Sequence, residues 1–323
     1  MRWIFPVPVL LMSWFGVDQV KSNSCIRTAL WALSLSPLVQ AECQNDLKIC
    51  KTLIEHTDRN LLQADLDAIT TWCSVNRMSL NINKCYTVTF TRSHNMIQSQ
   101  YLVDGTTLQR KAEMRDLGVI FDSKLTFLPH IDSIINKSSK MLGFIIRNSK
   151  LFRSPTTKIT LYNSYVRSQL EYCSVVWSPQ YNVHQVRVER IQKRFLRHLT
   201  FASGLHKSLV SYSERLRHFR MDRLTVRRKL LDITFMYKVL RNEFDCPPLL
   251  GLFNLRVPRR VPRRALINAG LLHQPSARTN LKRFSTISRL SRAYNSVCER
   301  VDLFSDRLPK FKKAVLGLLR DEA

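Results

Sequence analysis

From about residue 46 onward the apolar and polar positions of this chain fall into repeating patterns. Leu62, Leu66, Ile69 and Cys73 step by four, three and four, which places them on one face of a helix over 58–76. Residues 84–91 alternate and are rich in Val, Thr, Tyr and Phe, the mark of a half-buried strand. Residues 101–103 and 107–109 flank Asp104-Gly105, a dipeptide that accepts the two positive φ angles of a tight hairpin turn. A further short strand is predicted over 117–121.

After Phe127 the period changes from two to 3.6. Ile131, Ile134, Ile135, Leu142 and Ile145 mark a helix over 129–147 that opens with a proline. Ser154 before Pro155 supplies a cap and a φ already set for helix, and Ile159, Tyr162, Val166, Leu170 and Cys173 predict one continuous helix up to Ser178-Pro179. Val188, Ile191, Phe195 and Leu199 give a third helix over 183–200, and Val226, Leu230, Ile233, Tyr237 and Leu240 a fourth. Between 245 and 277 the pattern lapses into Cys246-Pro247-Pro248 and then two Val-Pro-Arg-Arg repeats over 257–264. Proline lacks the amide hydrogen that helices and central strands require, so an extended basic linker is expected. Helical spacing resumes at about 281 and runs to the end. The fold class is α+β, with segments at 1–42, 43–127, 128–244, 245–280 and 281–323.

The first 42 residues follow none of these patterns. Arg2 followed by the apolar run 3–17 is similar to the basic and hydrophobic regions of a secretory signal. Pro6 and Pro8 interrupt the run, no small-x-small cleavage site follows, and it is shorter than the roughly 20 residues that span a bilayer. We read 1–42 as a leader unrelated to the rest. The chain is then intracellular, in nucleus or cytoplasm, with no stable membrane association; secretion or anchoring through 1–20 is the alternative.

Charge changes the picture more than composition does. Lys and Arg number 51 against 24 Asp and Glu, for a net +27 in 323 residues, which favours a polyanionic partner. Residues 1–150 hold 17 basic and 12 acidic side chains, net +5, whereas 151–323 hold 34 and 12, net +22. On the third predicted helix Arg187, Arg190, Arg194 and Arg197 step by three, four and three, and Arg223, Arg227 and Arg228 repeat the theme on the fourth. Such a row is either a solvated face or a contact for the phosphates of RNA or DNA. Eight cysteines occur without a Cys-x-x-Cys pair or a histidine at zinc spacing, so neither a disulfide scaffold nor a zinc site is expected.

Asp46-Leu-Lys-Ile-Cys50, Leu62-Gln-Ala-Asp-Leu-Asp67, Trp72-Cys73, Asn83-Lys84-Cys85, Asp116-Leu-Gly-Val119 and Phe121-Asp122 resemble the carboxyl-terminal palm of non-LTR retrotransposon (LINE-type, jockey-like) reverse transcriptases. The likeness continues through Leu161-Tyr162, Leu170-Glu-Tyr172, Trp177-Ser-Pro179, Glu189, Ile191-Gln192 and Arg194-Phe-Leu196 to Tyr294-Asn295, Asp302-Leu-Phe304 and Phe311-Lys312. The resemblance implies a partial palm of short antiparallel strands plus a helix over 43–127, then a mainly helical thumb over 128–244. It implies carboxylates holding two Mg²⁺ ions at a Phe/Tyr-Ala-Asp-Asp turn, but Cys43-Gln44-Asn45-Asp46 stands there and retains only Asp46. It makes Lys84 a candidate general acid near the nucleotide, and Leu117, Gly118 and Val119 a candidate primer grip.

The expectation is therefore a truncated polymerase remnant that binds no Mg²⁺ and does not polymerise but keeps nucleic-acid binding. An active or complementing reverse transcriptase, or a helical nucleic-acid or protein adaptor, are the alternatives. A palm without its first strands is also expected to leave an open sheet edge.

Overall fold

The apolar run at the amino terminus becomes a strand. The computed structural model describes residues 7–14, 39–40, 46–53, 55–93, 99–205, 208–244, 247–256, 271–274, 276–302, 304 and 306–321, in two units that divide after Pro129. In the first unit Val7–Trp14 forms β1, Val39–Gln40 β2 and Asp46–Leu53 β3. The later strands are β4 (Tyr86–Thr89), β5 (Leu102–Val103), β6 (Thr106–Thr107), β7 (Gln109–Lys111), β8 (Glu113–Asp116) and β9 (Val119–Asp122).

β1 runs antiparallel to β3, from Val7 opposite Leu53 to Trp14 opposite Asp46. Its other edge pairs with β4, from Val9 opposite Thr89 to Met12 opposite Tyr86, and the sheet order is β2-β3-β1-β4-β7. The open edge expected from the sequence is thus occupied: β1 gives β3 and β4 the backbone partners they would otherwise lack. Pro8 is tolerated because it lies outside the stretch paired to β4 and faces only Thr52 of β3.

Helix α1 (His56–Val75) starts where the amide of Glu55 donates to the Asp58 carboxylate at 2.9 Å. Leu62, Leu66, Ile69 and Cys73, the predicted stripe, are all buried against Ile49 and Leu53 of β3 and against Tyr101, Val103 and Leu108. Gln63 acts as a strand partner for Leu102: its amide nitrogen donates to the Leu102 carbonyl at 2.9 Å and its oxygen accepts the Leu102 amide at 3.0 Å. β5 and β6 form the hairpin expected at Asp104-Gly105, with φ of 48° and 71° there. The strand predicted over 117–121 starts only at Val119, because Leu117 and Gly118, at φ of 43° and 87°, are instead the turn between β8 and β9. Leucine does not announce a left-handed turn, so the sequence pattern missed it.

The helices of the second unit are α2 (Leu128–Asn148), α3 (Pro155–Tyr162), α4 (Ser168–Glu171), α5 (Ser174–Trp177) and α6 (Asn182–Ala202). They continue as α7 (Tyr212–His218), α8 (Leu224–Leu240), α9 (Pro247–Leu250), α10 (Asn280–Arg283), α11 (Thr286–Asn295) and α12 (Leu308–Asp321).

The helix predicted to run unbroken to Ser178 is in three pieces. A π turn over Asn163–Arg167 joins α3 to α4, and Cys173 at φ 51° breaks the chain before α5. The break delivers Trp177 to the core, where its indole donates to the Tyr172 carbonyl at 2.8 Å and its ring meets His130 edge-on at 5.2 Å. α7, which hydrophobic spacing did not reveal, is set by a capping box: the Glu214 amide donates to Ser211 Oγ at 3.1 Å and the Ser211 amide to Glu214 at 2.8 Å.

The carboxyl-terminal helices share one core with α8. Ile233, Met236 and Tyr237 pack in the same cluster as Leu290 and Tyr294 of α11 and Phe311, Val315 and Leu319 of α12. The basic repeat over 257–264 lies outside the described residues, but Leu255 and Leu272 on either side of it form an antiparallel bridge. Among the described residues no helix is long and apolar enough to cross a membrane. Cys73, Cys173 and Cys298 take part in no disulfide among the described residues.

Candidate nucleic-acid interface

α6 separates its two sides sharply. Val188, Ile191, Phe195, Leu196 and Leu199 are buried, whereas Arg190, Lys193, Arg194 and Arg197 are exposed at successive one-turn spacings. Lys193 belongs to this row although the arginine spacing passed over it; its position three after Arg190 and four before Arg197 was the available signal. Its ammonium lies 5.1 Å from the centre of the Tyr212 ring. Arg187, the first of the predicted row, is half-buried and donates to Asp132 of α2 at 2.5 Å, so its charge is already answered.

The second predicted cluster is divided. Arg223 precedes α8 and is partly exposed. Arg227 grips Glu171 through Nε and, at 3.0 Å, through Nη2, and this contact raises its pKa. Arg228 is only 2% exposed, and burial lowers its pKa. Arg227 and Arg228 therefore do not extend the exposed row, because a 3.6-residue period turns adjacent positions of α8 toward different surroundings.

In the first unit Asp46 opens β3, opposite Trp14 of β1; Cys43, Gln44 and Asn45 lie outside the described residues. Among the described residues no group of three or more His, Cys, Asp or Glu side chains is placed to hold a metal ion. In the sequence the residue before Asp46 is the neutral Asn45. Lys84 ends the short 3-10 turn Ile82–Lys84, exposed and just before β4. Leu117 and Gly118 form the tip of the β8–β9 hairpin and Val119 is buried at its base.

Several residues that carry the family likeness serve the fold. Glu189, 7% exposed, accepts the Tyr212 hydroxyl and, at 3.1 and 3.2 Å, the Leu224 amide. Gln192 accepts the Tyr162 hydroxyl at 3.2 Å and donates to the Tyr212 oxygen at 3.0 Å and the Asp222 carbonyl at 2.9 Å. Burial, with Glu189 nearby, raises the pKa of both tyrosines, so they remain hydroxyl donors. This network fastens α3 and α7 to α6 and fixes the start of α8. Asp122 accepts the amides of Thr126 at 2.8 Å and Phe127 at 2.7 Å, shaping the entry to α2. Asn295 exchanges two bonds with the backbone of Leu272, at 2.8 and 3.0 Å.

Over 203 residues, 59% of its length, the chain is 30% identical to the "RNA-directed DNA polymerase from mobile element jockey" of Drosophila funebris, of which the match covers 21%. Over 145 residues, 44% of its length, it is 28% identical to the protein of the same description from Drosophila melanogaster, of which 16% is covered. The chain thus spans about a fifth of the length of the curated relatives it matches. No protein-family model matches it. No solved structure matches it either.

Proposed function

Because this chain is a partial relative of the jockey-like non-LTR retrotransposon reverse transcriptases, we propose that it is a polymerase remnant whose helical unit binds the backbone of RNA or DNA and which does not itself polymerise. In this reading 43–127 is the partial palm, 128–244 the thumb, 245–280 a basic linker and 281–323 a terminal helical segment, and the chain acts inside the cell. The observation that carries the binding half is the exposed row of Arg190, Lys193, Arg194 and Arg197, whose neighbours on the other side of α6 are committed to the core. The catalytic half rests on the donor set: Asp46 is the one carboxylate kept at the turn where the family places its metal ligands, so no Mg²⁺ is bound.

Fluorescence anisotropy with single-stranded and duplex oligonucleotides tests the first half. Four phosphate contacts give a slope of about −3.6 in log K against log salt on duplex, or a loss of roughly a hundredfold between 50 and 200 mM. Arg190→Glu with Arg194→Glu lowers affinity for all sequences alike and reduces the slope by about 2. Affinity indifferent to salt refutes phosphate binding by this row. Mg²⁺-dependent primer extension on a homopolymer template refutes the catalytic half, and would favour the active or complementing polymerase that Lys84 and the β8–β9 hairpin suggest.

A further inference from the structure

The second unit holds a cavity of about 420 Å³ that the arginine row of α6 does not enter. Arg228 and Lys229 of α8 and Arg289 and Arg292 of α11 line it, with Asp232 as the carboxylate among them, so positive charge exceeds negative by three. We propose that this cavity binds a phosphate monoester, carried either by a free nucleotide or by the phosphorylated end of a nucleic-acid strand.

Arg228 is the first reason. It is 2% exposed, lines the cavity, and its Nη1 has no hydrogen-bond partner among the described residues. Glu189, Glu171 and Asp232 act on this charge, but Nη1 itself makes no hydrogen bond and is a donor that an anionic oxygen can use. Asp232 does not accept from it, because its carboxylate is taken by Arg289, whose Nε donates to it at 2.9 Å while Nη2 also reaches the Val175 carbonyl. Arg292, at the exposed rim, donates to the Arg283 carbonyl at 2.6 Å through one nitrogen, which leaves other donors of its fork for a ligand.

Geometry and size select the ligand class. Guanidinium forks match the oxygens of a phosphate, and a dianion offsets the surplus charge better than a planar monoanion does. The volume exceeds that of a bare phosphate and falls in the range of about 300–1,000 Å³ typical of small-molecule sites. A monoester enters on one attachment, whereas a mid-strand diester would have to bring its chain through the mouth twice. The site is independent of the row on α6, since neither Arg190 nor Arg194 lines it.

Isothermal titration of the full chain with adenosine 5′-monophosphate and with adenosine, at about 200 mM salt to suppress non-specific phosphate contacts, tests the proposal. The monophosphate is expected to saturate one site and adenosine not to bind. Arg292→Ala, at the exposed rim, and Arg228→Met each weaken the monophosphate by roughly tenfold or more, while Arg190→Glu with Arg194→Glu leaves it unchanged. In that last background, tighter binding of a 5′-phosphorylated oligonucleotide than of its 5′-hydroxyl twin identifies the strand end as the source, and equal binding of the two identifies the free nucleotide. No binding of the monophosphate, or binding that Arg292→Ala leaves intact, overturns the proposal.

Discussion

Replacing Glu189 by Ala is expected to destabilise the helical unit severely, for a reason unrelated to any chemistry at that residue. The side chain is 7% exposed and its two oxygens accept the Tyr212 hydroxyl and the Leu224 amide. Truncation leaves both donors buried without a partner, at about 1–3 kcal/mol each. It also removes the largest favourable charge acting on buried Arg228, which moves the total toward the upper end, about 3–5 kcal/mol. Trp177 is the one tryptophan beyond residue 130, so its fluorescence reports this unit. With a urea slope of about 2–3 kcal/mol/M, the midpoint falls by roughly 1–2 M at unchanged slope. Tyr212→Phe should couple to Glu189→Ala by about 1–3 kcal/mol in a double-mutant cycle. A loss below about 1 kcal/mol, or strict additivity of the two changes, refutes the network as a brace.

Asp232 supplies a pH test. Burial outweighs its pairing with Arg289 and the charge of Arg228 and raises its pKa from 3.8 to about 6. Because the folded value lies above the unfolded one, protonation favours the fold. This contribution is present below pH 3.8 and is lost as pH rises through about 6, with an upper size of about 3 kcal/mol. Urea midpoints between pH 4 and 6.5 should therefore fall more steeply for the native sequence than for Asp232→Asn; parallel profiles contradict the assignment. Leu117 holds φ at 43° at the hairpin tip while 56% exposed. Leu117→Gly relieves the left-handed strain and should stabilise β8–β9 by a few tenths to about 1 kcal/mol, read as slower amide exchange of Val119 to Asp122; faster exchange means the leucine side chain supports the hairpin.

Much of the architecture was legible in the order of residues. The stripe of Leu62, Leu66, Ile69 and Cys73, the turn at Asp104-Gly105 and the long helices α2, α6 and α8 follow from periodicity and local backbone preference, which act over a few residues. Whatever depended on partners distant in sequence was not legible. An aliphatic run at 7–14 reads equally as a signal segment or a strand until two neighbours with vacant backbone groups decide it. The break at Cys173 answers to the burial of Trp177, which no local signal encodes.

The candidate site divides the same way. That the second half is basic, that α6 carries arginines a turn apart and that the motifs resemble a polymerase were decided by sequence alone, since charge and spacing are one-dimensional properties. Which arginines remain free for a ligand was decided by the tertiary structure. Asp132 answers Arg187, Glu171 holds Arg227, and packing of α8 buries Arg228, while Arg190, Lys193, Arg194 and Arg197 are exposed. A charge is specified by its residue, but its pairing and hydration depend on which helices pack beside it.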